Sequence, residues 1–261
     1  MTDPKAALGD WSCKPKTAIQ FRQHFDALLN LLLPQQCPLC RRFCFDHGLC
    51  ADCWQGLVFI TPPFCQCCGR PLAYAIGDHL CGSCFAKMPP LAEIRSCFLY
   101  NDRSRQLILK FKHGDALHLS PLFARFLQAP FTALAEPDHL IVPIPLHAKR
   151  YLHRRFNQSA ELARLLCQQN ETGIFAPEAL TRPKAGPTQA GLSRSQRQRN
   201  LAGAFAVPQD QRHRIANRPV LLVDDVMTTG ATLYEAARTL QKAGSGPVRG
   251  LVLAQVLRHG L

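Results

Sequence analysis

Two groups of residues in this chain could do chemistry. The first is Val220–Thr232, reading VLLVDDVMTTGAT. An apolar run, Pro219–Val223, ends in two acids, Asp224 and Asp225, and a loop of small and hydroxylated residues follows. Such a run bounded by turn signals predicts a strand buried on both faces of a parallel sheet. The loop Thr228, Thr229, Gly230, Ala231 and Thr232 precedes a helical pattern, Leu233–Ala243. Amides and hydroxyls at a helix N-terminus suit an anion, and a glycine lets the backbone approach a phosphate closely. The adjacent carboxylates repel phosphate, so they suit sugar hydroxyls or a hydrated divalent cation. Together they predict a ligand with a ribose-like diol and a terminal phosphate.

The second group is sulfur. The chain has 13 cysteines. Eight fall in four C-x-x-C pairs: Cys37/Cys40, Cys50/Cys53, Cys65/Cys68 and Cys81/Cys84. Each pair can offer two sulfurs to a tetrahedral metal, and two pairs complete a four-cysteine site. Two structural Zn2+ sites are expected, built from sequential or from alternating pairs. Cys44 and Cys67 stand spare. A full thiolate shell leaves no open position, so catalytic zinc is not expected. A segment this poor in apolar mass would depend on its metal for stability.

The elements that must position these groups follow from pattern. Thr17–Leu33 carries Phe21, Phe25, Leu28, Leu29 and Leu32 at helical spacing and stops at Pro34. From Ile94 the composition changes. Ser96–Tyr100 reads as a strand, and Ser104–Lys112 as a helix with Leu107, Ile108 and Phe111 inward. A second helix is expected over Leu119–Leu127, then a strand over Leu140–Pro145 whose prolines take its last residues out of the ladder. Asn157–Gln169 reads as a helix with Ala160, Ala163 and Leu166 on one face. Val220–Val223 is the next strand, Leu233–Ala243 the next helix, and Val248–Val256 the last strand. Strands alternating with helices predict an α/β domain with a parallel sheet. Ligands in such sheets sit beyond the carboxyl ends of the strands, so the loops after Pro145 and after Val223 should share one crevice. The expected division is a tail and amphipathic helix over 1–34, a double zinc ribbon over 35–92, and the α/β domain over 93–261.

Two basic stretches belong with that crevice. His147–Phe156 (HAKRYLHRRF) contains no acid, and a cationic loop there suits a second polyphosphate group. Ala179–Gln209 also lacks Asp and Glu and holds Arg182, Lys184, Arg194, Arg197 and Arg199, which suits a loop closing over a bound anion. The formal net charge of +13 makes a polyanion partner plausible. No run approaches the roughly 18 apolar residues of a membrane span, and no signal-like segment opens the chain. A cytoplasmic location is expected.

LVDDVMTTGAT resembles the phosphoribosyl-diphosphate (PRPP) signature of type I phosphoribosyltransferases. With the four C-x-x-C pairs, VPIPLHAKRYLHRRFNQSAELA and TQAGLSRSQRQRNLAGAF, the chain resembles the ComF family of competence and DNA-utilisation proteins over roughly residues 35–257. The resemblance implies a type I phosphoribosyltransferase-like parallel sheet flanked by helices, preceded by a small Cys-rich zinc-ribbon domain. It implies that Asp224 and Asp225 hold the ribose hydroxyls of PRPP, that Thr228–Thr232 cradle its 5′-phosphate, and that Mg2+ bridges diphosphate and sugar. His147, Ala148, Lys149, Arg150 and Arg154 would form the diphosphate loop. Gln189, Leu192, Arg197 and Asn200 match the family's Q-x2-L-x4-R-x2-N stretch in a flexible loop. The family reads R-G-F-N-Q where this chain has Arg154-Arg155-Phe156; the change removes a glycine and adds a guanidinium. The family role implied is handling of incoming single-stranded DNA, with a helicase-like DNA-import ATPase as partner. An active phosphoribosyltransferase and a non-catalytic PRPP or nucleotide sensor are the alternatives, and no residue has the pattern of a catalytic base.

Overall fold

A computed structural model describes residues 36–44, 48–74, 79–112, 116–146, 156–183 and 203–257. In chain order the main elements are α1 (Ala51–Gln55), α2 (Gly82–Ala86), β1 (Ile94–Leu99), α3 (Asp102–Lys112), α4 (Ser120–Leu134), β2 (Leu140–Pro143), α5 (Gln158–Asn170), β3 (Ile174–Phe175), α6 (Arg212–Ile215), β4 (Val220–Met227), α7 (Ala231–Lys242) and β5 (Val248–Gln255). The strands form one sheet of order β1-β5-β4-β2-β3, and every pairing is parallel. The α/β architecture expected from alternating strands and helices is the one observed. The helix expected over Thr17–Leu33 lies outside the described residues.

Alternation along the strands builds the two faces. Leu221 and Val223 of β4, with Leu251 and Leu253 of β5, pack under α3, α4 and α5. Val220 and Leu222, with Val248 and Val252, pack under α7 through Leu233, Ala236, Ala237 and Leu240. That helical stripe recurs at three- and four-residue spacing, so α7 buries one face on the sheet. Leu107, Ile108 and Phe111 of α3 are fully buried, as their spacing predicted. On α5 the buried stripe is Leu162, Ala163, Leu166 and Cys167, and Ala160 sits at its margin.

Three boundaries differ from expectation. The helix expected to stop at Leu127 runs to Leu134, through Pro130. Proline removes the N–H that would have bonded the carbonyl four residues back. Here that carbonyl, on Phe126, accepts the Cys97 thiol at 3.1 Å. Burial pushes the Cys97 pKa up to about 12, so the sulfur keeps its proton and remains a donor. The strand expected over Leu140–Pro145 stops at Pro143, and its last ladder bond runs from Ile144 N to Val223 O at 2.9 Å. The strand expected to end at Val223 continues through both acids to Met227, laddered to β5 as far as Met227 opposite Gln255.

The cysteine segment is a structural repeat. Cys37 N bonds Arg42 O at 2.7 Å and Arg41 N bonds Cys37 O at 2.9 Å; Cys65 N bonds Arg70 O and Gly69 N bonds Cys65 O at the same two distances. Arg41 and Gly69 occupy matching left-handed positions, at φ 63 and φ 69. Antiparallel bridges Gln36–Phe43 and Phe64–Pro71 close the two knuckles. A short helix then follows the third cysteine of each unit, α1 after Cys50 and α2 after Cys81.

The ribbons are fastened to the sheet. Phe59 bridges Phe98 in antiparallel fashion along β1, the outer strand, with Ile60 N to Cys97 O at 2.9 Å and Leu99 N to Val58 O at 2.8 Å. This covers a strand edge that would otherwise be open to pairing. Trp54 and Phe59 stack with Phe98 and Phe126 at this joint, with ring centroids 5.0 to 6.1 Å apart.

Candidate functional site

The acids of β4 stand where the sheet divides. β2 and β4 are neighbours only as far as Pro143 and Val223, whereas β4 continues for four residues beside β5. From β2 the chain leaves through α5 on one face toward β3; from β4 it leaves through α7 on the other face toward β5. Neighbouring strands whose connections depart to opposite faces open a crevice at their carboxyl ends. Asp224 and Asp225 are the first residues of β4 past the end of its pairing with β2.

Three elements hold the acids. Lys112, the last residue of α3, pairs its ammonium with Asp225 Oδ1 at 3.0 Å. Ser159, in the first turn of α5, donates its hydroxyl to Asp224 Oδ1 at 3.2 Å. The Asp225 amide donates to the same oxygen at 2.9 Å. α5 is in turn pinned by Asn157, which caps it by accepting from Ser159 N at 3.1 Å and donates to Ile144 O at 3.0 Å. Burial first, and then the neighbouring Asp225 carboxylate, push the Asp224 carboxyl up to about 7; the Asp225 amide, Lys112 and the Ser159 hydroxyl oppose this without overcoming it. Lys112, Ser159 and the capping Asn157 were not singled out from the sequence. The run Asn157-Gln158-Ser159 held a visible N-cap signal for α5, whereas the approach of Lys112 depends on tertiary packing.

The loop after Met227 has the form expected of an anion cradle. Gly230 is left-handed, at φ 76, and caps α7. A Cβ there would come within 2.5 Å of the Tyr234 ring, so glycine is required by both conformation and space. Thr229 Oγ1 accepts the Ala231 amide at 3.3 Å. Thr228 is exposed, and Thr229, Ala231 and Thr232 are partly so. The first-turn amides of a helix have no intrahelical partner and carry partial positive charge, here beside these hydroxyls. Asp224 and Asp225 thus lie near the end of β4, and Thr228, Thr229, Gly230, Ala231 and Thr232 follow directly in the loop and first turn of α7. His147, Ala148, Lys149, Arg150 and Arg154, and Gln189, Arg197 and Asn200, lie outside the described residues.

The cysteines resolve into two sequential clusters, Cys37-Cys40-Cys50-Cys53 and Cys65-Cys68-Cys81-Cys84, with the sulfurs of each within 4.8 Å of one another. Tetrahedral zinc with Zn–S bonds near 2.3 Å places sulfurs about 3.8 Å apart. Cys40 and Cys50 sulfurs are 3.4 Å apart, and Cys68 and Cys81 sulfurs 3.7 Å. Burial pushes the Cys37 and Cys65 thiols up, but backbone N–H groups aimed at the sulfurs outweigh it and leave them at about 6 and about 7. The donor set fits Zn2+ in both clusters, as a structural shell. Cys44 and Cys67 belong to neither: Cys44 approaches Gly48 O, and the Cys67 carbonyl accepts Ile94 N at 2.7 Å.

A double zinc ribbon joined to a parallel α/β domain defines the class. The double zinc ribbon domain family matches residues 28–85. The chain is 33% identical over 239 residues to the DNA utilization protein YhgH of Escherichia coli K12, spanning 87% of this chain and 100% of that protein. It is 32% identical over 206 residues to Competence protein F of Haemophilus influenzae, spanning 76% of this chain and 86% of that protein. A solved structure described as an asparagine mutant at an invariant aspartic acid of HPRTs aligns at 20% identity and a TM-score of 0.30, over 51% of this chain and 62% of that one. The chain belongs to the ComF family, together with DNA utilization protein YhgH and Competence protein F.

Two outcomes are expected. Purified protein should carry about two zinc ions per chain, and a chromogenic chelator should remove them in two phases. The first cluster should empty first, because Cys40 is exposed and Cys50 partly so, while all four cysteines of the second are buried. Metal-free protein as isolated would contradict this. For Asp224, the folded carboxyl titrates near 7 against an ordinary 3.8. Between those values the folded state holds the proton more tightly than the unfolded chain, so ionisation costs stability. That cost is absent at low pH, grows as pH rises and is complete above about 7. Asp224→Asn should therefore raise the melting temperature at about pH 8 and change it little at about pH 4; no gain at the higher pH would contradict the burial argument.

Proposed function

We propose that this protein handles incoming single-stranded DNA in natural competence or DNA utilisation, and that its crevice is a PRPP/Mg2+ pocket. The observation that carries the pocket reading is the placement of Asp224 and Asp225 at the open end of β4, one loop away from the N-terminus of α7. In this reading the two carboxylates accept hydrogen bonds from ribose hydroxyls. The Thr228–Thr232 amides and hydroxyls take the 5′-phosphate, and Mg2+ neutralises the diphosphate, with His147–Arg154 as its basic loop and Gln189, Arg197 and Asn200 on a closing loop. Ionising Asp224 for the diol is assisted by the Mg2+ charge that the ligand brings.

DNA handling is supported by family membership and by a net charge of +13. The proposed division of labour follows the domains: residues 35–92 as a zinc-stabilised binding module, residues 93–261 as the phosphoribosyl-ligand domain, and 1–34 as a separate leading segment. Among the described residues no helix is long and apolar enough to cross a membrane. A helicase-like partner rests on the family resemblance alone.

The DNA reading is tested by filter binding of an unstructured oligothymidylate across a salt series. Binding should weaken steeply with salt, the logarithm of affinity falling by about 0.7 per phosphate contact for each logarithmic unit of salt. Weak, salt-insensitive binding would overturn it.

A further inference from the structure

A cavity of about 200 Å³ lies between the second ribbon and the phosphate-type loop. Cys68, Cys81 and Cys84 of the second ribbon line it, together with Ala231, Tyr234, Glu235 and Arg238 of α7 and with Thr228, Thr229 and Gln255. The α7 residues follow helical spacing and form a different face from the stripe buried on the sheet. It shares Thr228, Thr229 and Ala231 with the loop before α7, whereas Asp224, Asp225, Lys112 and Ser159 do not line it. Two fasteners fix its shape. Gln255, buried at the end of β5, donates to Cys68 O at 3.2 Å and accepts from Ser96 at 3.3 Å. The Tyr234 ring that forms part of the α7 wall also packs against Gly230.

The lining chemistry is selective. Met88, Pro89, Pro90 and Tyr234 offer flat or polarizable apolar surface, while Arg70, Lys87 and Arg238 bring three cations against one acid, Glu235. Glu235 is engaged already, by Arg238 at 3.7 Å and by the Gly203 amide at 2.8 Å. Drug-sized ligands fill about 300–1,000 Å³, so this smaller space suits a single ring system. Met88, 59% exposed, is also a wall of a wide groove lined by Phe64, Tyr74 and Arg95, where Tyr74 is 67% exposed. Met88 thus borders both spaces; in the groove Arg95 lies over the Phe64 ring and pairs with Glu93 at 2.6 Å, and Tyr74 is the exposed aromatic.

We propose that single-stranded nucleic acid lies along this groove and places one base in the cavity, with its backbone on Arg70, Lys87 and Arg238. This rests on the DNA-handling reading and specifies where on the protein it happens. A base suits the cysteine-lined side better than a phosphate does, because a phosphate would meet the negative charge of a four-thiolate zinc shell. Stacking on Met88, Pro90 and Tyr234 tolerates any base, and a base already out of a duplex incurs no unpairing cost. The site thus favours single strands without sequence preference.

The test is fluorescence anisotropy of a labelled oligothymidylate on the full, zinc-loaded chain. It compares wild type with the double variant Lys87→Glu/Met88→Asp and with Arg238→Ala; Lys87 and Met88 are exposed, and unchanged melting and PRPP binding verify the fold. The double variant should bind at least about tenfold more weakly, and each lost cation should reduce the salt slope by about 0.7 to 1. Duplex DNA of the same length should compete poorly. If wild type binds and both variants bind equally well, the site is overturned while the DNA reading stands. If wild type itself does not bind the oligonucleotide, the DNA reading falls and the site with it.

Discussion

The structure depends on an inequality between two neighbouring strands. β2 leaves the ladder after Pro143, because the Pro143-Ile144-Pro145 sequence cannot continue a two-sided pairing, while β4 keeps its bonds to β5 as far as Met227. Past Val223, therefore, β4 has a partner on one side and an opening on the other. Two adjacent carboxylates at this point would be costly inside a sheet. Here they border the opening, and a lysine, a serine hydroxyl and a backbone amide hold them in place. Asp224 still carries much of the cost, as its raised pKa records. A buried carboxyl maintained against its own ionisation opposes stability, which is the pattern that functional sites share.

The ribbons are built into the same device. Their attachment covers the outer edge of β1 through Phe59, and the second ribbon meets the amino end of β1 through Ile94 N to Cys67 O and the carboxyl end of β5 through Gln255 to Cys68 O. The second cluster and the end of β5 are thus linked by a direct contact, and Val256 N bonds Met227 O at 2.9 Å just ahead of the loop before α7. Loss of the cluster's metal would release the wall of a cavity that the loop also bounds.

Much of this was readable from residue order. The helical pattern over Leu233–Ala243, the apolar run ending at Val223 and the four C-x-x-C pairs each report a local preference, and each appears in the fold. What was not readable depended on distant partners. The continuation of β4 through two acids needs the β5 ladder. The passage of α4 through Pro130 needs the Cys97 thiol to take the freed Phe126 carbonyl. The sequential pairing of cysteines follows from two knuckles of the same geometry, which spacing alone left open against an alternating arrangement. Lys112 carries no local mark, since only the packing of α3 on the sheet brings its ammonium to Asp225.

The central claim is that the acids at the end of β4 recognise a phosphorylated ribose. Isothermal calorimetry with PRPP and Mg2+ tests it most directly, on wild type and on Asp224→Ala/Asp225→Ala. Hydrogen bonds to charged groups contribute about 1.5–3 kcal/mol each, so losing both acids should weaken binding by roughly a hundredfold or more. Equal affinity in the two proteins would contradict the account.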